Sequence, residues 1–326
     1  MQMSEQLLEV RGLRKSFRVG KNRLTALDGI DLDLARGETL GLVGESGCGK
    51  STLARTLMML ERPDAGSVTF DGIDPFSLRG KELLKFRRRV QMVFQDPYAS
   101  LNSRMTAGDI ISEPWRTHKT LYPNRKDREL RMRGLLDMVG LGAKAADKYP
   151  QEFSGGQRQR IGIARALALD PDVIICDEPV SALDLSVQAQ VLNLLNDLQQ
   201  ELKISYLFIS HDLSVVRHVA DRVTVMYLGR MIESGRTEDV YRSPAHPYTA
   251  ALMSAAPKLD AADRGDRILL SGEVPSPLNP PSGCRFRTRC WQATEICATH
   301  EPAAHDDSGH VAECHHPLQP AVPVSA

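Results

Sequence analysis

An α/β fold is predicted by three apolar runs, each ending at residues suited to chemistry. Leu40 to Val43 runs into the glycine-rich segment Gly44-Glu45-Ser46-Gly47-Cys48-Gly49-Lys50-Ser51-Thr52 and then into the helical pattern Leu53 to Leu60. Val173 to Cys176 ends in Asp177 and Glu178, and Tyr206 to Ser210 ends at His211. Short uninterrupted apolar runs suit strands buried on both faces of a parallel sheet, and ligands of open α/β sheets gather where such strands end.

The stretch from Leu8 to Phe70 reads as strand-rich, with Ile30, Leu32 and Leu34 alternating against Asp31 and Asp33 as in a half-buried strand, and Asp71-Gly72 marks a turn. Within it, strand, glycine loop and helix follow one another as a phosphate-binding loop requires. Glycines 44, 47 and 49 allow successive N–H groups to converge on phosphate oxygens at a helix N-terminus, where the helix dipole also favours an anion. Lys50 adds a mobile positive charge, Ser51 offers a hydroxyl to Mg²⁺, and Thr52 extends the first-turn contacts to phosphate.

Gln95 ends the run Val90 to Phe94 and offers an amide oxygen to Mg²⁺ and an attacking water. The pattern then becomes helical and polar up to Ser154, with Arg125 to Val139 the clearest helix and Gly140 its stop. Ser154-Gly155-Gly156-Gln157 opens a further helix in a form suited to a second phosphate. A small-residue N-cap also explains the glycines, but not Gln157-Arg158-Gln159-Arg160 following at once. Asp177 can hold Mg²⁺ directly or through water, and Glu178 can orient and partly deprotonate a water attacking a γ-phosphate, although an acidic strand end often serves only as a helix cap. His211, at the same sheet edge, could reach that phosphate. Val187, Val191, Leu194, Leu195, Leu198 and Leu202 recur at helical spacing and read as packing against the sheet. Arg222 to Leu228, a turn at Gly229 and Met231 to Glu233 close the pattern as strands.

These residues closely resemble the ATP-binding subunits of ABC transporters from Leu8 to Gly235. Gly44 to Thr52 is similar to the family's Walker A motif, Gln95 to its Q-loop, Ser154 to Gln157 to its signature, Val173 to Glu178 to its Walker B, Ser181-Ala182-Leu183-Asp184 to its D-loop and His211 to its H-loop, all in the expected order. The resemblance implies a P-loop ATPase with a mixed core sheet, an antiparallel β subdomain and a helical subdomain over about 98–165, within an ATPase domain spanning 1–235. It also implies that Phe17 stacks on adenine, a position that equally suits a half-buried strand residue. In the family two subunits meet head to tail, so the signature of one closes over ATP held by the Walker A of the other. Ser154, Gly155 and Gly156 could donate to a γ-phosphate only while it is present, so ATP would join the pair and hydrolysis would release it. The stretch Tyr98-Ala99-Ser100-Leu101-Asn102 is expected to face a coupling helix of a membrane subunit.

Beyond Gly235, a polar and proline-rich stretch containing His246-Pro247-Tyr248 leads to Cys284, Cys290, Cys297 and Cys314. This tail, 236–326, together with Phe94-Gln95-Asp96-Pro97 and Phe153, resembles the oligopeptide and dipeptide importer ATPases, nearer their "F" subunit type, with Ser103 standing where a proline is common. The cysteine spacing, C-x5-C-x6-C-x16-C, lacks a CxxC pair. Four thiolates could hold a [4Fe–4S] cluster, which members of the subgroup with this extension can carry, or tetrahedral zinc with His310, His315 or His316 as further ligands, or they could stay unligated. A metal there is expected to order the tail rather than to take part in hydrolysis.

Composition narrows the partners. Lys plus Arg and Asp plus Glu each number 41, so the chain lacks the basic excess that nucleic-acid binding requires. No apolar stretch approaches the roughly 18 to 20 residues of a membrane span, so any pathway must be borrowed from other subunits. The start, Met1-Gln2-Met3-Ser4-Glu5, lacks the layout of a secretory signal, which predicts a cytoplasmic chain, and the resemblance implies a peripheral subunit on the cytoplasmic face of the membrane. The resemblance implies two transmembrane permeases, an extracellular or periplasmic substrate-binding protein and a second, related ATPase as partners. Peptides are the expected cargo. Nickel chelates, glutathione or oligosaccharides are alternatives, and a soluble ABC ATPase acting on DNA or ribosomes is a remote one.

Overall fold

The computed structural model describes residues 6–255 and 267–318, so 1–5, 256–266 and 319–326 of the ranges expected above lie outside it. Eleven strands occur among the described residues: β1 (Gln6–Val19), β2 (Asn22–Ala35), β3 (Thr39–Val43), β4 (Ala65–Phe70), β5 (Val90–Val93), β6 (Val173–Asp177), β7 (Ser205–Ser210), β8 (Arg222–Tyr227), β9 (Arg230–Arg236), β10 (Ala304–Asp307) and β11 (His310–Glu313). The chain divides into two compact units, so each is described by itself.

One unit gathers Ala35–Glu38 and Ser77–Ile209. Its strands β5, β6 and β7 pair in parallel, with Val90 opposite Val173 and Val173 opposite Ser205. Every residue of β6 is buried, as its unbroken apolar sequence requires for a strand covered on both faces. The polar stretch between Gln95 and Ser154 folds as predicted into helices, chiefly Ala107–Ser112 and Arg125–Met138. Gly140, at φ +72°, ends the longer one in the left-handed conformation that favours glycine. Fully buried Trp115 anchors this region by donating its indole N–H to Ala168 O at 2.7 Å. In helix Leu185–Leu202 the predicted stripe buries Val191, Leu195 and Leu198, but Leu202 is exposed because it lies in the last turn, where the chain leaves the helix through left-handed Lys203.

The other unit gathers Gln6–Leu34, Thr39–Phe76 and the described residues from Ser210 onward. Its three-stranded sheet runs β2-β1-β4, with β1 and β4 antiparallel, and Ile30, Leu32 and Leu34 are buried on the alternation read from sequence. Its second sheet portion is mixed: β3 pairs in parallel with β8, β8 antiparallel with β9, β9 with β11 and β11 with β10. The last two strands come from the cysteine-bearing tail, so that tail extends the sheet whose β3 leads into the glycine loop. Tyr227, Tyr248 and Phe286 form its aromatic core, with ring centroids 4.7 Å apart for the two tyrosines and 5.4 Å from each to Phe286.

Candidate nucleotide site

The glycine loop is built as the sequence predicts. Buried β3 delivers Gly44, and the helix Lys50–Leu57 starts at Gly49, which sits at φ +116°. A Cβ on Gly49 would lie 2.4 Å from Ala26 O, and one on Gly44 would lie 2.2 Å from Met226 O, so no other residue fits either place without displacing backbone. The helix start carries no side-chain cap and no acid in its first turn, which leaves its amides to a ligand. Lys50, 5% exposed, folds over the loop and donates to Gly44 O at 2.6 Å and Glu45 O at 3.1 Å. Ser51 is exposed at the start of the same helix, and Thr52 is half-buried. Ser46 and Gly47 are exposed, whereas Cys48 is buried, and burial pushes its thiol pKa up, marking it as a packing residue.

Two predicted members of the same unit complete what can be placed here. Phe17 lies half-buried on β1 with the Lys15 ammonium 5.1 Å from its ring centroid. His211 is exposed immediately after β7, followed by Asp212, whose carboxylate caps the helix Leu213–Arg217 by accepting from Ser214 N at 2.7 Å.

In the other unit, parallel pairing sets β5 beside β6, and the residues just past their ends meet. The Gln95 amide donates to Glu178 Oε2 at 3.0 Å. Glu178 has φ +47°, an uncommon conformation for a residue with a side chain, and its N–H is held by Ile209 O at 2.9 Å. The sequence reading aimed the Gln95 amide oxygen at Mg²⁺; here the amide nitrogen orients the Glu178 carboxylate. Asp177, buried at the last position of β6, raises the pKa of fully buried Cys176, behind burial itself as the larger cause.

The predicted second anion site is a closed cap. Ser154 Oγ accepts from Gln157 N at 3.3 Å while Gln157 Oε1 accepts from Ser154 N at 3.0 Å, a reciprocal capping box on helix Gly155–Leu167. The hydroxyl keeps its own hydrogen for a further acceptor. Gly156 is required because a Cβ would lie 2.2 Å from Val187 Cγ1, whereas Gly155 has more room. Asp184 likewise caps Leu185–Leu202, accepting from Val187 N at 3.0 Å and Ser186 Oγ at 2.7 Å; these hydrogen bonds hold its carboxyl below the usual range. Tyr98 is 62% exposed, with the Arg158 guanidinium 4.0 Å from its ring centroid, so the loop after Gln95 presents an aromatic surface.

Glu45, within the Gly44 to Thr52 loop, makes contacts that local sequence does not show. Its carboxylate takes both arms of the Arg289 guanidinium, at 2.8 and 3.1 Å, and its N–H donates to the Tyr248 hydroxyl at 3.0 Å. Neither Arg289 nor Tyr248 stood among the predicted site residues. The His-Pro-Tyr and cysteine motifs marked the neighbourhood of each, but nothing local paired them with a residue more than two hundred positions earlier.

The four late cysteines gather, with Cys284 N donating to Cys297 O at 2.8 Å. Burial pushes the Cys314 thiol up to about 11, and Cys284, Cys290 and Cys297 push it the same way. Main-chain amides lie on Cys290 Sγ and Cys314 Sγ, each at 3.4 Å. Among the described residues, however, no three His, Cys, Asp or Glu side chains converge as a metal-ligand set. The residues as placed therefore do not fit the expected [4Fe–4S] cluster or its zinc alternative. The histidines named as further ligands are engaged elsewhere: His310 on Glu233 at 2.7 Å, His315 on His300 O at 2.9 Å and His316 on Thr294 at 2.7 Å.

An open phosphate loop, an acid at a strand end oriented by glutamine and a capped glycine-start helix are the parts of an ATP-binding-cassette ATPase. The family model described as ABC transporter matches residues 27–181, and that described as oligopeptide/dipeptide transporter, C-terminal region, matches 232–297. The dipeptide transport ATP-binding protein DppF of Haemophilus influenzae is 52% identical over 95% of this chain and 96% of its own length. The Escherichia coli protein of the same name is 49% identical over 96% and 95%. Among solved structures, the ATP-binding cassette MJ0796 in a dimeric post-hydrolysis state with ADP and Pi matches at 30% identity, covering 71% of this chain and 99% of that one with a TM-score of 0.65. The chain belongs to the ATP-binding proteins of the oligopeptide/dipeptide ABC transporter family. It is an ATP-hydrolysing subunit of that class.

Proposed function

We propose that this chain energises the import of dipeptides or oligopeptides, with 1–235 as its ATPase domain, 98–165 as the helical subdomain within it and 236–326 as an importer-type extension. The observation that carries the reading is the uncapped helix start at Gly49 with Lys50 folded over the loop, a cradle of amides and one buried ammonium suited to a polyphosphate. The names of the relatives support peptide cargo, and the extension's match supports the same subgroup.

In this reading the amides of the 44–52 loop, apart from the Glu45 N–H that Tyr248 holds, and the Lys50 ammonium hold the β- and γ-phosphates, and Phe17 stacks on adenine. Ser51, Asp177 and Gln95 would hold Mg²⁺, which supplies neutralising charge on those phosphates. Glu178, aimed by Gln95, orients and deprotonates water, and His211 donates to the γ-phosphate. Ser154, Gly155, Gly156 and Gln157 of a second ATPase subunit, with its Asp184, close the pocket head to tail. No helix among the described residues is long and apolar enough to cross a membrane, in keeping with a subunit docked on two permeases at the cytoplasmic face and served by an external substrate-binding protein.

Glu178→Gln tests the reading. In the assembled transporter it is expected to bind ATP and hold the subunit pair closed, with hydrolysis down at least about a hundredfold. Wild-type turnover in that variant would remove Glu178 from its role, and an unlabelled peptide that fails to stimulate hydrolysis through the binding protein would remove peptide as cargo. The four cysteines are assigned no step in hydrolysis. Iron with acid-labile sulfide in protein purified without oxygen would restore the cluster reading, zinc would restore its alternative, and neither would leave the thiols as packing groups.

A further inference from the structure

Glu45 places a carboxylate inside a loop built to receive a polyanion, where an unscreened negative charge opposes binding. The cysteine-bearing extension removes that opposition. Arg289, between Cys284 and Cys290 in sequence, is 8% exposed and grips both Glu45 oxygens at 2.8 and 3.1 Å, the fork-to-fork arrangement that a guanidinium makes and an ammonium cannot. Arg289 N donates to Phe286 O at 2.9 Å, and the guanidinium nitrogen that holds one Glu45 oxygen also lies 3.5 Å from the Tyr227 hydroxyl. The same extension reaches the loop's main chain: the fully buried Tyr248 accepts from Glu45 N–H. Its Arg285 donates to Leu228 O and Asp28, beside Gly229, whose N–H in turn holds Cys48 O at 2.8 Å. All of these contacts lie within one compact unit.

We propose that Arg289 is a positioning residue for nucleotide binding: by pairing with Glu45 it neutralises that carboxylate and draws it out of the phosphate cradle, so the extension sets the chain's affinity for ATP. The inference rests on reading 44–52 as the ATP cradle, and it gives the extension a role in the ATPase cycle that needs no metal and no chemical step at the cysteines.

The test measures MgATP binding by the full chain and KM and kcat in the assembled transporter. Arg289→Gln is expected to raise the dissociation constant and KM for ATP about tenfold with kcat within about twofold, because the exposed charge opposes binding more than turnover. The deficit should shrink towards wild type near 1 M salt, where the screening length falls to about 3 Å. Adding Glu45→Gln to Arg289→Gln should restore most of the affinity, and Arg289→Lys should restore part of it. A structural role alone predicts neither the salt effect nor the rescue, and their absence overturns the proposal. If Arg289→Gln does not fold, Glu45→Gln by itself decides: affinity at least equal to wild type supports the proposal, and weaker binding overturns it. A wild-type chain that binds no ATP breaks the cradle reading instead, whereas equal binding by wild type and Arg289→Gln breaks only the inference.

Discussion

Two helix starts in this molecule carry small residues of the same kinds and are finished in opposite ways. At Gly49 the helix Lys50–Leu57 begins with no side-chain cap, and the loop before it is held from the extension through Glu45. At Ser154 the helix Gly155–Leu167 is closed by its own Ser154–Gln157 box. The first four N–H groups of any helix need partners. A start that leaves them open is unfinished until an anion arrives, so it suits a ligand held through most of a cycle and needs outside support between ligands. A start that caps itself is stable alone, so it can meet and leave a phosphate without cost to its fold. The difference matches a site that retains nucleotide and a surface that engages it intermittently.

The strongest way to break the contrast is Gly49→Ala. A side chain at φ +116° costs about 1–3 kcal/mol in strain, and its Cβ would lie 2.4 Å from Ala26 O and 2.7 Å from Met226 Cε. ATP affinity measured on the full chain should fall by about a hundredfold or more. Affinity within threefold of wild type would mean that the open start is not what holds the nucleotide.

How legible these starts were follows from the range of the interactions that build them. The ends of β6 and β7 could be read because fully buried parallel strands appear as short apolar runs, and β5, though broken by half-buried Gln91, keeps enough of that pattern; the residues just past each run fall at the sheet edge. The Ser154 cap was readable too, since serine and glutamine three apart form a local box, although the functional reading was placed above it. Leu202 was misplaced because periodicity continues into a last turn that no longer packs. Local sequence shows only the place of Glu45 in the loop; Arg289 meets it through the tertiary fold, and an arginine among cysteines advertises no partner. The cysteine spacing likewise showed four thiols close in sequence but not whether their sulfurs converge, which backbone geometry decides.

Acid should separate the two starts next. Tyr248, which accepts from the Glu45 amide, is itself held by its N–H donating to His246 Nδ1 at 3.0 Å. Burial lowers the His246 pKa to about 4, against the opposite pull of Glu233. Between about pH 4 and its ordinary value of 6.5, the unfolded chain therefore binds a proton that the folded chain refuses, and stability falls as pH drops through that window, by roughly 3 kcal/mol in full. Glu313 works the other way: burial raises its pKa to about 6, so its contribution is present at acid pH and lost as pH rises from 4.5 through about 6. The His310 pKa, raised by its hydrogen bond to Glu233, has that same sign. The difference between wild type and His246→Gln isolates the histidine. Melting curves from pH 7 to 4 should show the wild type losing more stability than the variant. Equal slopes would show that the support beneath Glu45 does not titrate. Neither member of the Ser154 box carries a titratable side chain, so hydrogen exchange at Gln157 N–H should follow wild-type global stability and show no slope of its own.

The smallest effect expected is at the self-capped start. Ser154→Ala removes the oxygen that accepts from Gln157 N, and loss of such a cap costs about 1 kcal/mol. Ser154→Thr keeps the oxygen and should recover most of that stability in urea titration. The cap and the proposed phosphate contact use different parts of one hydroxyl, lone pair and hydrogen, so the two variants also separate them. If the hydroxyl serves only the helix, hydrolysis in the assembled transporter should fall in Ser154→Ala no further than its lost stability explains. If it also donates to a γ-phosphate, hydrolysis should fall by about tenfold or more at temperatures where the variant is fully folded, and Ser154→Thr should hold near wild type. The second pattern is the one expected, and a fully folded Ser154→Ala with wild-type hydrolysis would reduce this start to a cap.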